Sequence, residues 1–62
     1  MITLHYKDIN EFQLLKVMEV LNQRGTQYAD IYKGNDCVWV ASGRISEYFI
    51  FRNDQLVDII VD

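Results

Sequence analysis

The sequence has little of several features that stabilise or identify small proteins. Among its 62 residues it has one cysteine, one histidine, three glycines and no proline. A single cysteine excludes a disulfide framework and a thiolate-only metal site within one chain. No apolar run approaches the roughly 18 residues that a membrane span needs. Half of the residues are hydrophobic and 24% are charged, which argues against disordered, collagen-like and low-complexity chains.

Positive charge is also scarce. Six Lys and Arg residues stand against nine Asp and Glu residues, which gives a net charge of −3. A protein that binds bare duplex DNA normally presents a basic face, and this composition does not favour one. The sequence shows no charged segment followed by an apolar signal-peptide core, so we expect an intracellular, cytoplasmic protein.

The length predicts a single small domain over residues 1–62. A chain of this size buries only roughly 60% of its unfolded surface and is marginal as a monomer. Apolar burial then nearly cancels the entropy cost of ordering the chain. With disulfides excluded, we expect an unusually dense core, a partner or a homodimer to supply the remaining stability.

The first part of the chain predicts a strand followed by a helix. Apolar residues alternate with period two over 2–6, as in a short strand. Asp8 then has the position of a helix N-cap, with Glu11 completing a capping box. The helix is predicted over about 9–24, and Gly25 follows as a left-handed C-cap.

Two sets of apolar residues lie on different sides of this predicted helix. One set forms a stripe that we expect to pack on the sheet: Leu14, Val17, Met18 and Leu21, flanked by Leu15. The other set falls on the opposite side and predicts a secondary interface: Ile9, Phe12 and Val20. Isolated exposed apolar residues are also common on protein surfaces that bind no partner.

After Gly25 the hydrophobic period changes to two, which predicts two hairpins. The strands cover 27–33, 37–41, 45–51 and 56–61, with two-residue turns at Gly34-Asn35 and Asn53-Asp54. The resulting class is α+β, in the order β-α-β-β-β-β. We expect an antiparallel sheet with one helix packed on one face, and the neighbour of the first strand remains open.

The length of the link between the two hairpins decides which residues share a face. A two-residue link would place Glu47 and Asp58 on the same face as Val38 and Val40. A three-residue link over 42–44 gives the helix-facing side no charge, and burying an unpaired charge costs several kcal/mol. We therefore predict the three-residue link, with these residues facing the helix: Ala29, Ile31, Val38, Val40, Tyr48, Ile50, Val57, Ile59 and Val61.

The opposite face is then too apolar for an ordinary solvated surface. It would carry Phe51, Leu56, Ile60 and Cys37 together with aromatic and acidic side chains. Exposed aromatic patches commonly mark interaction sites. The predicted partner-binding residues are Tyr28, Asp30, Tyr32, Trp39, Glu47, Phe49 and Asp58.

The residues that usually carry catalysis have no supporting pattern here. His5 has no motif that supplies an orienting acid and a nucleophile. Cys37 has no evident cationic neighbour or helix N-terminus to lower its pKa. His5 and Cys37 belong to different elements, so we expect no metal, no cofactor and no enzymatic activity.

These observations predict a small non-enzymatic regulator or inhibitor that docks on a protein partner through an aromatic and acidic sheet face. The partner would present basic groups, and a homo-oligomer is expected. Compactness, acidity and the lack of a catalytic pattern are compatible with antitoxin-like regulators and with phage-encoded inhibitors, which act in the host cytoplasm. The alternative is a module that binds a small ligand, a nucleotide or single-stranded nucleic acid on the same aromatic face, since such sheets stack bases on aromatic rings.

Overall fold

A computed structural model describes residues 2–62 of the chain. It has one helix and five strands in the predicted order: β1 (Thr3–Tyr6), α1 (Glu11–Gln23), β2 (Tyr28–Lys33), β3 (Cys37–Ser42), β4 (Ile45–Arg52) and β5 (Gln55–Val61). The strands form one sheet in the order β1-β2-β3-β4-β5. The pairs β2–β3, β3–β4 and β4–β5 are antiparallel, whereas β1 and β2 are parallel. The α+β class is confirmed, and the sheet is mixed but mostly antiparallel.

The helix begins two residues later than predicted. Asp8 has a φ of 57°, outside the extended region that an N-cap adopts. Asn10 is the cap instead, and its side-chain oxygen accepts hydrogen bonds from the N–H groups of Phe12 at 2.7 Å and Gln13 at 3.4 Å. Ile9 therefore precedes the helix and packs against the core.

The end of the helix follows the prediction. Gly25 has a φ of 77°, a left-handed conformation that glycine adopts without steric cost. Its N–H donates to the carbonyl of Asn22 at 3.1 Å, and the N–H of Thr26 donates to the carbonyl of Leu21 at 3.0 Å. These two bonds make a Schellman motif, which returns the chain to the sheet at β2.

The core lies between α1 and one sheet face. Its helix side is formed by Val17 and Leu21, from the middle of the predicted stripe, while Leu14 and Met18 are half-buried. Leu15 is exposed. The sheet contributes the remaining buried hydrophobic residues: Ala29, Ile31, Val38, Val40, Phe49 and Phe51.

The first hairpin turns at Asn35-Asp36 rather than at Gly34-Asn35. Asp36 takes the positive φ of 57°, and the N–H of Gly34 donates to the carbonyl of Cys37 at 3.0 Å. A turn at Gly34-Asn35 would pair Ile31 with Val38. In the structure Ile31 lies opposite Val40, a shift of two residues in the strand pairing. A shift of two keeps every side chain on its predicted face.

The link between the hairpins is a two-residue turn, and the predicted three-residue loop is wrong. Ser42 pairs with Ile45, and Gly43 at the turn has a φ of 62°. Strand β4 is therefore inverted relative to the prediction, because each residue of slip exchanges the two faces. Glu47, Phe49 and Phe51 point toward the helix, while Tyr48 and Ile50 point away from it.

A bulge in β5 keeps Ile59 on the helix side of the sheet, opposite Phe49. The Asn53-Asp54 turn is confirmed, with both residues at positive φ. Phe51 pairs with Leu56, but Ile50 pairs with Asp58, so one extra residue, Val57, is inserted.

The bulge also changes which β5 residues reach the core. Leu56 packs against the core although it was predicted on the other face, whereas Val57 is exposed although it was predicted to face inward. Val61 lies opposite Glu47 on the helix side, as predicted, but its side chain is 67% exposed. Ile59 packs against the core as predicted. Asp58 and Ile60 lie on the side away from α1.

Candidate functional site

The sheet face opposite α1, here called the outer face, has no element of residues 2–62 packed over it. Each β2 and β3 residue on it alternates with a buried core residue, as the period of a strand requires. The register places these side chains on it: His5, Tyr28, Asp30, Tyr32, Cys37, Trp39, Ala41, Ser46, Tyr48, Ile50, Asp58 and Ile60. Its position confirms that the predicted interaction face lies uncovered, although its β4 residues differ from those predicted.

An aromatic row crosses the middle of the outer face. Tyr32, Trp39 and Tyr48 are directly cross-strand neighbours on β2, β3 and β4. The ring centroids are 5.4 Å apart for Tyr32–Trp39 and 6.1 Å apart for Trp39–Tyr48, and the second pair is stacked with an interplanar angle of 18°. Trp39 is 37% exposed and Tyr32 is 50% exposed. Neighbouring rings hold one another in place, so the row presents a rigid apolar surface to solvent.

Beside this row, Tyr28 connects a histidine to a carboxylate. Its hydroxyl donates to Asp30 Oδ1 at 2.9 Å, and its ring centroid lies 5.3 Å from that of His5. The hydrogen bond to Asp30 raises the pKa of Tyr28 above its usual value of 10.0, with smaller contributions from desolvation and from the negative charge of Asp30. The phenol is therefore held protonated, which suits a hydrogen-bond donor and opposes a role as a base.

Carboxylates border the aromatic row at its two ends. Asp30 lies next to Tyr32 along β2, and Asp58 lies next to Ile60 along β5, on the other side of the row. Asp30 accepts the Tyr28 bond, and Asp58 accepts a bond from the N–H of Ile59 at 2.8 Å. An ionised carboxylate has about four acceptor positions, so both groups keep acceptor capacity for a partner.

Two of the predicted partner-binding residues are not on the outer face. Phe49 is fully buried in the core, and Glu47 is 6% exposed beneath the helix. Glu47 accepts a 2.5 Å charged hydrogen bond from Arg24 Nη1 at the C-terminal end of α1. These placements follow from the two-residue turn and remove Glu47 and Phe49 from the candidate site.

The inverted strand puts Tyr48 and Ile50 on the outer face, although their pattern in the sequence predicted that they face the helix. Tyr48 extends the aromatic row, and Ile50 packs beside Cys37 and Asp58 on the neighbouring strands. The signal that could have identified them is Arg24 in the last turn of the helix. A cation there can pair with a carboxylate on the underlying sheet, which makes an inward Glu47 acceptable.

The three residues of the predicted secondary interface do not share one exposed surface. Ile9 and Val20 pack against the core, because the helix begins later and lies differently from the prediction. Phe12 alone of the three is exposed, at 68%. An isolated exposed phenylalanine makes no continuous surface.

An open groove of about 590 Å³ adjoins the outer face at the carboxyl ends of the parallel strands β1 and β2. It is lined by His5, Tyr6, Lys7, Asp8, Asp30, Ile31, Tyr32 and Lys33. Its two lysines are matched by two aspartates, so the groove has no excess charge of either sign.

Other features bear on cofactors and membranes. Within residues 2–62, no three His, Cys, Asp or Glu side chains are grouped closely enough to hold a metal ion. Over the same residues, α1 is too short and too polar to cross a bilayer.

Comparison of the chain with protein-family models, with curated proteins and with solved structures finds no match in any of the three.

Proposed function

We propose that this protein is a non-enzymatic binding protein that regulates or inhibits a partner protein by occupying part of its surface. The binding site is the outer face, and its central residues are Tyr28, Asp30, Tyr32, Trp39 and Asp58, joined by Tyr48, Ile50 and Ile60. Glu47 and Phe49 are not part of it.

The uncovered aromatic row is the observation that carries this proposal. Tyrosine and tryptophan are the residues most enriched among those that dominate binding energy in protein interfaces. They bury a large area on binding while losing few side-chain rotations, and here the neighbouring rings already fix their positions. Such a surface binds with little reorganisation.

The titratable groups on the outer face support binding rather than catalysis. His5, Tyr28 and Asp30 are close together, but the Tyr28 hydroxyl is already committed to Asp30. The cluster lies on an open sheet surface at the edge of an open groove, where water competes for each proton. Catalytic acids and bases are instead found in enclosed sites that shift their pKa values toward the working pH.

Affinity capture tests the proposal. Tagged wild-type protein is incubated with lysate of the cells that naturally express it, and the captured proteins are quantified by mass spectrometry. The variants Tyr32→Ala and Trp39→Ala change the outer face. Phe12→Ala and Leu15→Ala are matched controls, since they remove exposed apolar side chains from the helix.

The proposal expects one or a few proteins whose capture is lost in both outer-face variants and kept in both helix variants. Circular dichroism confirms that each variant is folded. Equal capture by all variants would show that the outer face does not bind the captured proteins. The predicted homodimer stays a prediction, and sedimentation of the wild type and of Trp39→Ala tests it.

A further inference from the structure

A pair of carboxylates is common on protein surfaces, but here the two carboxylates lie on either side of an exposed aromatic row. Asp30 and Asp58 lie one step from the row on opposite sides and at opposite ends. Strand geometry places their Cα atoms roughly 20 Å apart, from spacings of about 4.8 Å between strands and about 3.3 Å per residue. The row between them is aromatic on three consecutive strands.

We propose that the partner presents arginine side chains to the outer face, stacked on Tyr32, Trp39 and Tyr48 and paired with Asp30 and Asp58. This inference rests on the proposed function and names the chemistry of the partner. A guanidinium group is planar, is weakly hydrated, stacks on aromatic rings and pairs with a carboxylate through two parallel N–H bonds. A lysine ammonium is a strongly hydrated point charge and fits a ring surface less well.

The charge of the molecule supports a cationic partner. The chain carries a net charge of −3. On the outer side of β4, Arg52 lies at the far end of the strand, beyond Ile50 and away from the aromatic row. The row itself is therefore bordered by negative charge, which steers a cationic segment toward it.

A second copy of the chain fits this surface less well than a cationic partner. It would bring the same carboxylates and the same net charge against the face. Nucleic acid is disfavoured for the corresponding reason, because its phosphates would meet Asp30 and Asp58.

Tryptophan fluorescence tests the inference, because the chain has a single tryptophan and it lies in the row. The probes are the amidated peptides hexa-arginine and hexa-lysine, and amide NMR shifts map where each binds. The charge variant is Asp30→Asn with Asp58→Asn. Its matched control is Glu11→Gln with Glu19→Gln, which removes two exposed charges from the helix.

We expect hexa-arginine to change Trp39 fluorescence saturably. Hexa-arginine should also bind about fivefold more tightly than hexa-lysine, because a guanidinium group stacks on aromatic rings. The Asp30/Asp58 variant should bind hexa-arginine about fivefold more weakly than the wild type, from the lost charge pairs, and the helix variant should bind within about twofold of it. The NMR shifts should lie on β2, β3 and β4.

Three results would overturn the inference: equal affinity for the two peptides, equal weakening in the two double variants, or shifts away from the outer face. A dimer of the wild type that Trp39→Ala abolishes would also overturn it, since a second copy would then occupy the face. If the peptides fail while Tyr32→Ala and Trp39→Ala still lose the natural partner, the proposed function stands with a partner of different chemistry. If capture of the partner is also unaffected, both proposals fail.

Discussion

At the scale of single residues, one ion pair allows a charged residue of β4 to face the helix. Glu47 lies in the core layer with Val40 and Val61 as its cross-strand neighbours. Its charge is compensated by Arg24, whose side chain is 43% exposed and brings the guanidinium in from the end of α1. Removing one partner of a buried ion pair leaves an uncompensated charge, whereas replacing both with apolar residues is often neutral.

Arg24→Met should therefore lower the free energy of unfolding by about 2 kcal/mol at neutral pH. The double variant Arg24→Met with Glu47→Leu should recover stability to within about 1 kcal/mol of the wild type, because it no longer buries a charge. Urea denaturation measures both values.

Lys16→Met is the control for this prediction. Lys16 pairs with Glu19 at 3.5 Å on the exposed side of the helix, where ion pairs contribute little. Its removal should change stability by less than about 0.5 kcal/mol. A loss for Arg24→Met no larger than this would show that Glu47 does not depend on Arg24.

A second prediction at this scale concerns the Tyr28 hydroxyl. Since its pKa is raised by the bond to Asp30, the bond stabilises the folded protein below the unfolded pKa of 10.0, and this contribution is lost as the pH rises through the folded pKa. Asp30→Asn should return the pKa of Tyr28 toward 10.0. The ultraviolet absorbance of tyrosinate measures the change, with Tyr28→Phe identifying which of the four tyrosines titrates. An unchanged titration in Asp30→Asn would contradict the hydrogen bond.

At the scale of elements, the bulge in β5 keeps a charge out of the core. If Val57 were paired with Ile50 instead of bulged, the register set by the Asn53-Asp54 turn would continue and pair Asp58 with Phe49. Asp58 would then point toward the helix, and Ile59 would point to solvent. The bulge thus allows one tight turn and one buried apolar face in the same hairpin.

Deletion of Val57 should change the free energy of unfolding by less than about 1 kcal/mol, because the shortened strand continues the register of the turn and still pairs Asp58 with Ile50 and Ile59 with Phe49. Val57→Ala should cost less than about 1 kcal/mol, since Val57 is 55% exposed and its backbone preserves the bulge. Thermal unfolding and the dispersion of amide NMR signals measure the stability and folding of both variants. A deletion variant that loses about 3 kcal/mol or more would show that the sheet depends on the bulge itself and not on the facing of Asp58 and Ile59.

The same elements show how far the sequence predicts this structure. Period-two alternation and turn residues predicted every strand, and Gly25 predicted the end of the helix, because these signals are local. The facing of β4 and β5 depended on a one-residue difference in a turn and on a bulge, and both were resolved by contacts distant in sequence, such as Arg24 with Glu47. The outer face was accordingly predicted well on β2 and β3 and wrongly on β4.

At the scale of the whole molecule, α1 covers one face of the sheet and the other face is exposed to solvent. The accessible surface is 4624 Å², compared with about 4,200 Å² expected for a monomer of 7.3 kDa. The excess agrees with a two-layer molecule whose outer face lies bare. Sixty-two residues are enough to fold one helix onto one face of the sheet, and they leave the aromatic row exposed to solvent.

The aromatic row also permits a test of the alternative in which it stacks nucleic-acid bases. We expect a ten-residue deoxythymidine oligonucleotide to leave Trp39 fluorescence unchanged. Stacking alone has to overcome repulsion between the phosphates and a chain of net charge −3. A saturable change that weakens as salt is added would favour the nucleic-acid alternative.

Site-specific photo-crosslinking in the cells that express the protein shows whether a partner occupies the outer face. Benzoylphenylalanine is placed at Tyr32 on the outer face or, as the control, at Phe12, which is at least as exposed on the helix. If a partner occupies the outer face, we expect one discrete adduct from the Tyr32 position. This adduct should be absent from the Phe12 position and lost when Trp39→Ala is added. No adduct from Tyr32, or the same adducts from both positions, would contradict the claim that a partner occupies the outer face.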